Sequence, residues 1–178
     1  MRGITQVYTG DGKGKTTASL GTALRATGQG LKVCMVQFLK RNSKCGENLF
    51  TENTKVFEIH QFGAPKLPEG KIYSPVKRKS EEAKEAARNA LSFTKEIIKK
   101  GEYDLVILDE INLALDYGFI EINEVIDLIK NKPESLELIL TGRRAPKEII
   151  EAADLVTEMV EIKHPYKDGL GARRGIEY

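Results

Sequence analysis

Nine residues near the start, "TGDGKGKTT" from Thr9 to Thr17, concentrate the groups that hold a polyphosphate. Gly10, Gly12 and Gly14 let backbone N–H groups converge on an anion with no Cβ in the way. Lys15 supplies a cation on a mobile stem, Lys13 a second one, and Thr16 a hydroxyl suited to Mg²⁺. Thr9, Asp11 and Thr17 complete the stretch as candidate nucleotide contacts. A helix starting after Gly14 would add its partial positive charge at the same point. The spacing departs from the standard phosphate loop, G-x-x-x-x-G-K-[ST]. The first glycine should fall at Thr9 but falls at Gly10, so the loop is one residue short. The bland alternative is a glycine-rich turn without chemistry. Against it, strand, glycines, Lys-Thr and helix occur together as phosphate binding requires. The missing glycine argues against an ordinary NTPase, not against phosphate.

Carboxylates come next. In "LVILDE" four apolar residues precede Asp109 and Glu110, as when a buried strand delivers acids to its C-terminal end. Asp109 is placed to hold Mg²⁺ directly or through water. Glu110 is placed to orient water or polarise a substrate group; the alternative for both is a solvated acidic turn. In "LTGRRAP", Arg143 and Arg144 follow another strand, and ligands of open parallel sheets bind beyond the carboxyl ends of strands. Arginine suits phosphate through its planar fork, and solvated surface arginines are the competing reading. The tail "HPYKDGLGARRGIEY", with Tyr166 and Tyr178, has the composition of a frayed terminus, the alternative being a segment that folds over a ligand. Cys34 and Cys45 form no CxxC pair and His60 and His164 lie far from them, so no zinc site is expected.

These groups need a scaffold, and the chain alternates strand and helix patterns. Strands are expected at Ile4–Thr9, Lys32–Leu39, Lys55–Phe62, Tyr103–Glu110, Leu136–Gly142 and Leu155–His164. Helices are expected at Lys15–Gly28, Val76–Lys100, Asn123–Lys132 and Pro146–Asp154. Such alternation implies βαβ units: an α/β fold with a mostly parallel six-stranded sheet and helices on both faces. The stretch from Gly63 to Pro75 holds three of the six prolines and reads as a functional loop. The 178 residues suit a single domain, 1–178. With 28 basic and 26 acidic residues, the net charge of +2 gives no reason to expect nucleic acid. No apolar run approaches the ~20 residues of a membrane span. The start, "MRGITQVYTG", lacks a leader's apolar region, so a cytoplasmic protein is expected.

Taken together, "TGDGKGKTTASLGTALRATGQG", "VQFLK", "LVILDEI", "LILTGR" and "IKHPYKDGLGARRGIEY" resemble, in order and spacing and over nearly the whole chain, the P-loop-type ATP:corrinoid adenosyltransferases, also called cob(I)yrinic acid a,c-diamide adenosyltransferases. The short loop T-G-[DN]-G-K-G-K-T-T is itself a mark of that family. The resemblance implies a P-loop NTPase (RecA-like) architecture. It implies transfer of the 5′-deoxyadenosyl group of ATP to a Co(I) corrinoid in adenosylcobalamin synthesis or salvage, with triphosphate leaving. It further implies Mg²⁺ or Mn²⁺, a flavoprotein reductase or other electron donor, and a homodimer. Here the reacting atom is the ribose 5′ carbon, not a phosphorus. The loop's work is then electrostatic stabilisation of a departing polyphosphate, with no protein nucleophile required. Two features depart from the family. Its members carry a Phe-Thr-Trp segment whose aromatics displace the lower cobalt ligand, and this chain has no tryptophan. Phe62, Leu67 and Tyr73 are the available replacements, with Phe62 and Tyr73 favoured as corrinoid contacts. Some members also have an N-terminal lid, which the short lead before Ile4 makes unexpected here. A phosphoryl-transfer kinase or ATPase, releasing ADP, is the alternative enzyme; a nucleotide-binding regulator without turnover is the alternative module.

Overall fold

The computed structural model describes residues 2–40, 45–63 and 80–177. The elements run β1 (Thr5–Thr9), α1 (Lys15–Gly28), β2 (Val33–Phe38), α2 (Gly46–Thr54), β3 (Glu58–Phe62), α3 (Glu81–Lys100), β4 (Leu105–Asp109), α4 (Ile111–Asp116), α5 (Ile122–Asn131), β5 (Glu137–Thr141), α6 (Lys147–Ala152) and β6 (Leu155–Glu158), then a 3-10 turn, Pro165–Asp168. The strands form one sheet in the order β3-β2-β4-β5-β1-β6. Every pairing is parallel. All strand C-termini therefore share one edge, and the loops from β1, β2, β4 and β5 meet there. β2 and β4 are buried at every residue, as strands covered on both faces must be.

Strand alternation divides the core. Val7, Cys34, Val36, Phe38, Val106, Leu108, Leu138 and Leu140 pack with α3, α4, α5 and α6. Tyr8, Met35, Leu105, Ile107 and Ile139 pack with Ala23 of α1 and with Phe57. Helix α3 starts later than its pattern suggests. Ser80 caps it, its Oγ accepting from the Ala83 N–H at 3.2 Å, and Glu81 and Glu82 complement the helix dipole in the first turn. All six strands are shorter than expected, β6 most of all. Lys55 is the left-handed cap of α2, so β3 begins only at Glu58. β6 stops at Glu158 because Met159 turns its carbonyl onto the glycine loop instead of continuing the ladder. No helix among the described residues is long and apolar enough to cross a membrane.

Candidate functional site

The glycine loop joins β1 to α1, and its shape is set by β6's continuation. The Gly12 N–H donates to Met159 O at 2.7 Å, and the Met159 N–H donates to Thr9 O at 2.8 Å. A Cβ on Gly12 would lie 2.7 Å from Met159 O, and one on Gly10, at φ 94°, only 2.5 Å from the same oxygen. Neither position admits a side chain. Thr9 is buried, and its Oγ1 accepts from the Ala145 N–H at 3.1 Å, fastening the loop after β5 to β1. Lys15 curls back into the loop, its Nζ 2.7 Å from Gly10 O and 2.6 Å from Gly12 O. Burial holds its pKa below the ordinary lysine value; Glu110 and Asp11 oppose this and Arg143 adds to it. Lys13, Asp11 and Thr17 are exposed at the mouth.

Asp109 ends β4 with no exposed surface and takes four side-chain donors. Its Oδ1 accepts from Thr16 Oγ1 and Thr141 Oγ1, each at 2.8 Å. Its Oδ2 accepts from Lys40 Nζ at 2.7 Å and from Gln37 Nε2 at 3.3 Å. Burial works against the charge on Lys40, but the charge and hydrogen bond of Asp109 outweigh it and raise its pKa. Glu110 sits in the left-handed region at φ 65°, before α4. Burial and then the neighbouring Asp109 push its carboxyl pKa up, against the pull of Lys40, Lys15 and Arg143. A hydroxyl beside one carboxylate is a hard oxygen donor set. It suits Mg²⁺ shared with substrate phosphates rather than a resident ion. The described residues contain no group of three or more histidine, cysteine or acidic side chains able to hold a metal.

The two arginines diverge. Arg143 Nε lies 3.9 Å from Asp11 Oδ1, over the glycine loop. Arg144, left-handed at φ 54°, turns away to Asp116 at the end of α4, 2.9 Å from its carboxylate. The two arginines thus pair with different carboxylates, Asp11 and Asp116. The tail is exposed along most of its length, yet its end returns to the loop: Glu177 pairs with Lys13 at 2.9 Å and with Arg173 at 2.9 Å. Simple fraying does not describe residues 173–177. Phe62 ends β3 and packs on Phe93 of α3, ring centroids 5.5 Å apart. By alternation it leaves the sheet on the face opposite Gln37. Tyr73, Leu67, most of the loop from Gly63 to Pro75, the first residues of the expected helix from Val76, and Tyr178 lie outside the described residues.

A cavity of about 650 Å³ opens beside Thr16, between α1, α2 and the tail. Thr17, Lys40, Glu47, Phe50, Phe57 and Ile176 are in its wall. Lys40, Gln37 and Thr141 were not among the expected site residues. "VQFLK" carried the signal for the first two, but only the pairing of β2 with β4 brings them to Asp109.

The family model described as "ATP:corrinoid adenosyltransferase BtuR/CobO/CobP" matches residues 1–178. A "Corrinoid adenosyltransferase" of a Sinorhizobium species is 40% identical over 99% of this chain and 81% of its own length. That of Escherichia coli strain K12 is 36% identical, over 99% of this chain and 86% of its own. The "Corrinoid adenosyltransferase CobA" of Salmonella typhimurium strain LT2 is 34% identical over the same shares. The match spans the short glycine loop, the Asp109 cluster and the returning tail alike, and the chain belongs to the ATP:corrinoid adenosyltransferase family.

Proposed function

We propose that this chain transfers the 5′-deoxyadenosyl group of ATP to the Co(I) of a corrinoid, with triphosphate as the leaving group. The Co(I) electron pair forms the bond to C5′ of the ribose, the C5′–O5′ bond breaks, and its electrons stay on the triphosphate oxygen. Cobalt leaves as Co(III) bound to carbon. The observation that carries this reading is the short glycine loop with cations gathered around it. Lys15 lies within it, Lys13 at its lip and Arg143 above it. Such a set stabilises charge growing on a whole departing polyphosphate. Glycines 10, 12 and 14, with Thr9, Asp11 and Thr17, shape and line the phosphate site. Thr16 and Asp109 would hold Mg²⁺ or Mn²⁺, which would neutralise part of the phosphate charge. Glu110, whose carboxyl pKa is raised by burial and by Asp109, would face the reacting end of the substrate. The cavity beside Thr16 offers room for the rest of it.

Phe62 or Tyr73 would wall the lower cobalt face in place of tryptophan; Phe62 would do so as one ring of the Phe62–Phe93 pair. An electron donor such as a flavoprotein reductase would supply Co(I), and a homodimeric, single-domain, cytoplasmic enzyme completes the reading. The test incubates the protein with ATP, Mg²⁺ and a chemically reduced corrinoid. Triphosphate and a light-sensitive cobalt–carbon bond are expected in equal amounts. ADP as product would replace this reading with phosphoryl transfer, and ATP binding without turnover would replace it with a regulatory module.

A further inference from the structure

Asp109 is saturated. A carboxylate offers about four lone-pair sites, and here all are engaged, by Thr16 and Thr141 on Oδ1 and by Lys40 and Gln37 on Oδ2. Three of these partners are neutral, and the fourth is a cation at 2.7 Å. The hydroxyl of Thr16 gives its only proton to Asp109, so its lone pairs are what it has left for a cation. Lys40 holds the second carboxylate oxygen, where a divalent cation or its water would need to sit. Its side chain is 26% exposed while that of Asp109 is wholly buried, and it forms part of the wall of the cavity beside Thr16. The ammonium thus stands between the carboxylate and the space open to substrate. Its backbone fixes the stem: Leu39 before it is left-handed at φ 58°, and the Lys40 N–H donates to Phe62 O at 3.1 Å.

We propose that Lys40 is a built-in counter-ion that occupies the cation place at Asp109, competes there with the divalent metal, and on release turns its ammonium to the polyphosphate. The inference rests on the metal and phosphate roles given above for Thr16, Asp109 and the loop. Displacing an internal partner lowers apparent metal affinity by the fraction of time the place is open. Metal without phosphate therefore binds poorly, because it must part Lys40 from Asp109 and leave the ammonium only the weaker pull of Glu110 and Glu47. Metal arriving with a polyphosphate binds well, since the phosphates accept the ammonium. Lys40 is a positioning residue for the metal and a specificity device favouring the metal–nucleotide complex over either alone.

The experiment measures binding of Mn²⁺, by the loss of its free electron-paramagnetic-resonance signal, and of tripolyphosphate, by calorimetry, to the full chain without corrinoid. In Lys40→Met, Mn²⁺ alone should bind roughly tenfold tighter or more, since a unit positive charge beside its site is gone. Tripolyphosphate with Mn²⁺ should bind more weakly than in the wild type. The charge-neutral pair Lys40→Met with Asp109→Asn should show no gain in Mn²⁺ affinity. Unchanged or weaker Mn²⁺ binding by Lys40→Met, or a gain that persists in the double variant, overturns the proposal. Should Lys40→Met not fold, the wild-type chain decides. The ammonium signal of Lys40, assigned by its loss in Lys40→Arg, should shift when Mg²⁺ and tripolyphosphate are added together and hold still with Mg²⁺ alone. A signal that ignores both together overturns it equally. Since no corrinoid is present and no transfer is measured, these outcomes are separate from those that decide the adenosyltransferase reading.

Discussion

Two lysine–carboxylate pairs flank the phosphate loop, and their surroundings differ sharply. Lys40 meets Asp109 at 2.7 Å, with the carboxylate side chain 0% and the lysine side chain 26% exposed. Lys13 meets Glu177 at 2.9 Å, with side chains 49% and 24% exposed. In the inner pair Asp109, ringed by Thr16, Thr141 and Gln37, has no exposed surface, so water cannot stand in for Lys40. The outer pair is open to water, which screens it and replaces it readily. Similar distances therefore describe a pair shielded from solvent in one place and a contact that water replaces readily in the other. A phosphate approaching the mouth exchanges with the outer pair first.

The comparison is broken most directly at Asp109. Asp109→Ala should lower unfolding free energy by about 3–5 kcal/mol, the usual loss when one partner of a buried pair is removed. Urea unfolding measures it, and a loss below about 1 kcal/mol would show that solvent replaces the inner pair as readily as the outer one. Lys15→Ala comes next. It removes one preorganised charge from the leaving group, and kcat at saturating ATP should fall about 10²–10³-fold. Turnover close to wild type would remove Lys15 from the chemistry. Glu177→Gln should have the smallest effect. Its thermal midpoint should stay where it is while ATP binds a few-fold tighter at low salt, roughly the gain from freeing one screened cation. A lowered midpoint would mean that the tail is part of the fold rather than an exchangeable contact.

The sequence was most legible where one local signal decided the structure. Gly14-Lys15 and Gly28 bound α1 at the residues expected, and the unbroken apolar runs of β2 and β4 identified central strands. Helix α2 was missed for a physical reason. Its inward face is polar: Asn48 and Thr51 are the buried residues, and Asn48 Oδ1 accepts from Gln61 on β3. No apolar periodicity exists for a pattern to find. Helix α4 was missed because it begins directly after β4, with left-handed Glu110 making the turn that a glycine usually announces. The glycine loop, Asp109, Glu110 and Arg143 were legible as a set because their motifs are local. Lys40, Gln37 and Thr141 join them only through strand order, and no spacing along the chain encodes that order. Arg143 and Arg144 read alike in the sequence, whereas in the structure they pair with different carboxylates.

The bond from Gly12 to Met159 ties the phosphate loop to the most weakly held part of the sheet. β6 is four residues long, exposed at every one, and paired on one side only. Edge segments with so little burial open locally at a small fraction of the free energy of global unfolding. Each such opening takes away the carbonyl against which Gly10 and Gly12 are pressed, and with it the loop's defined curvature. The lifetime of the anion nest is thus the closed time of an edge strand, not that of the core beneath it. Polyphosphate bound in the nest would in turn lengthen that closed time, so the last strand of the sheet would gain order through the bond between Gly12 and Met159.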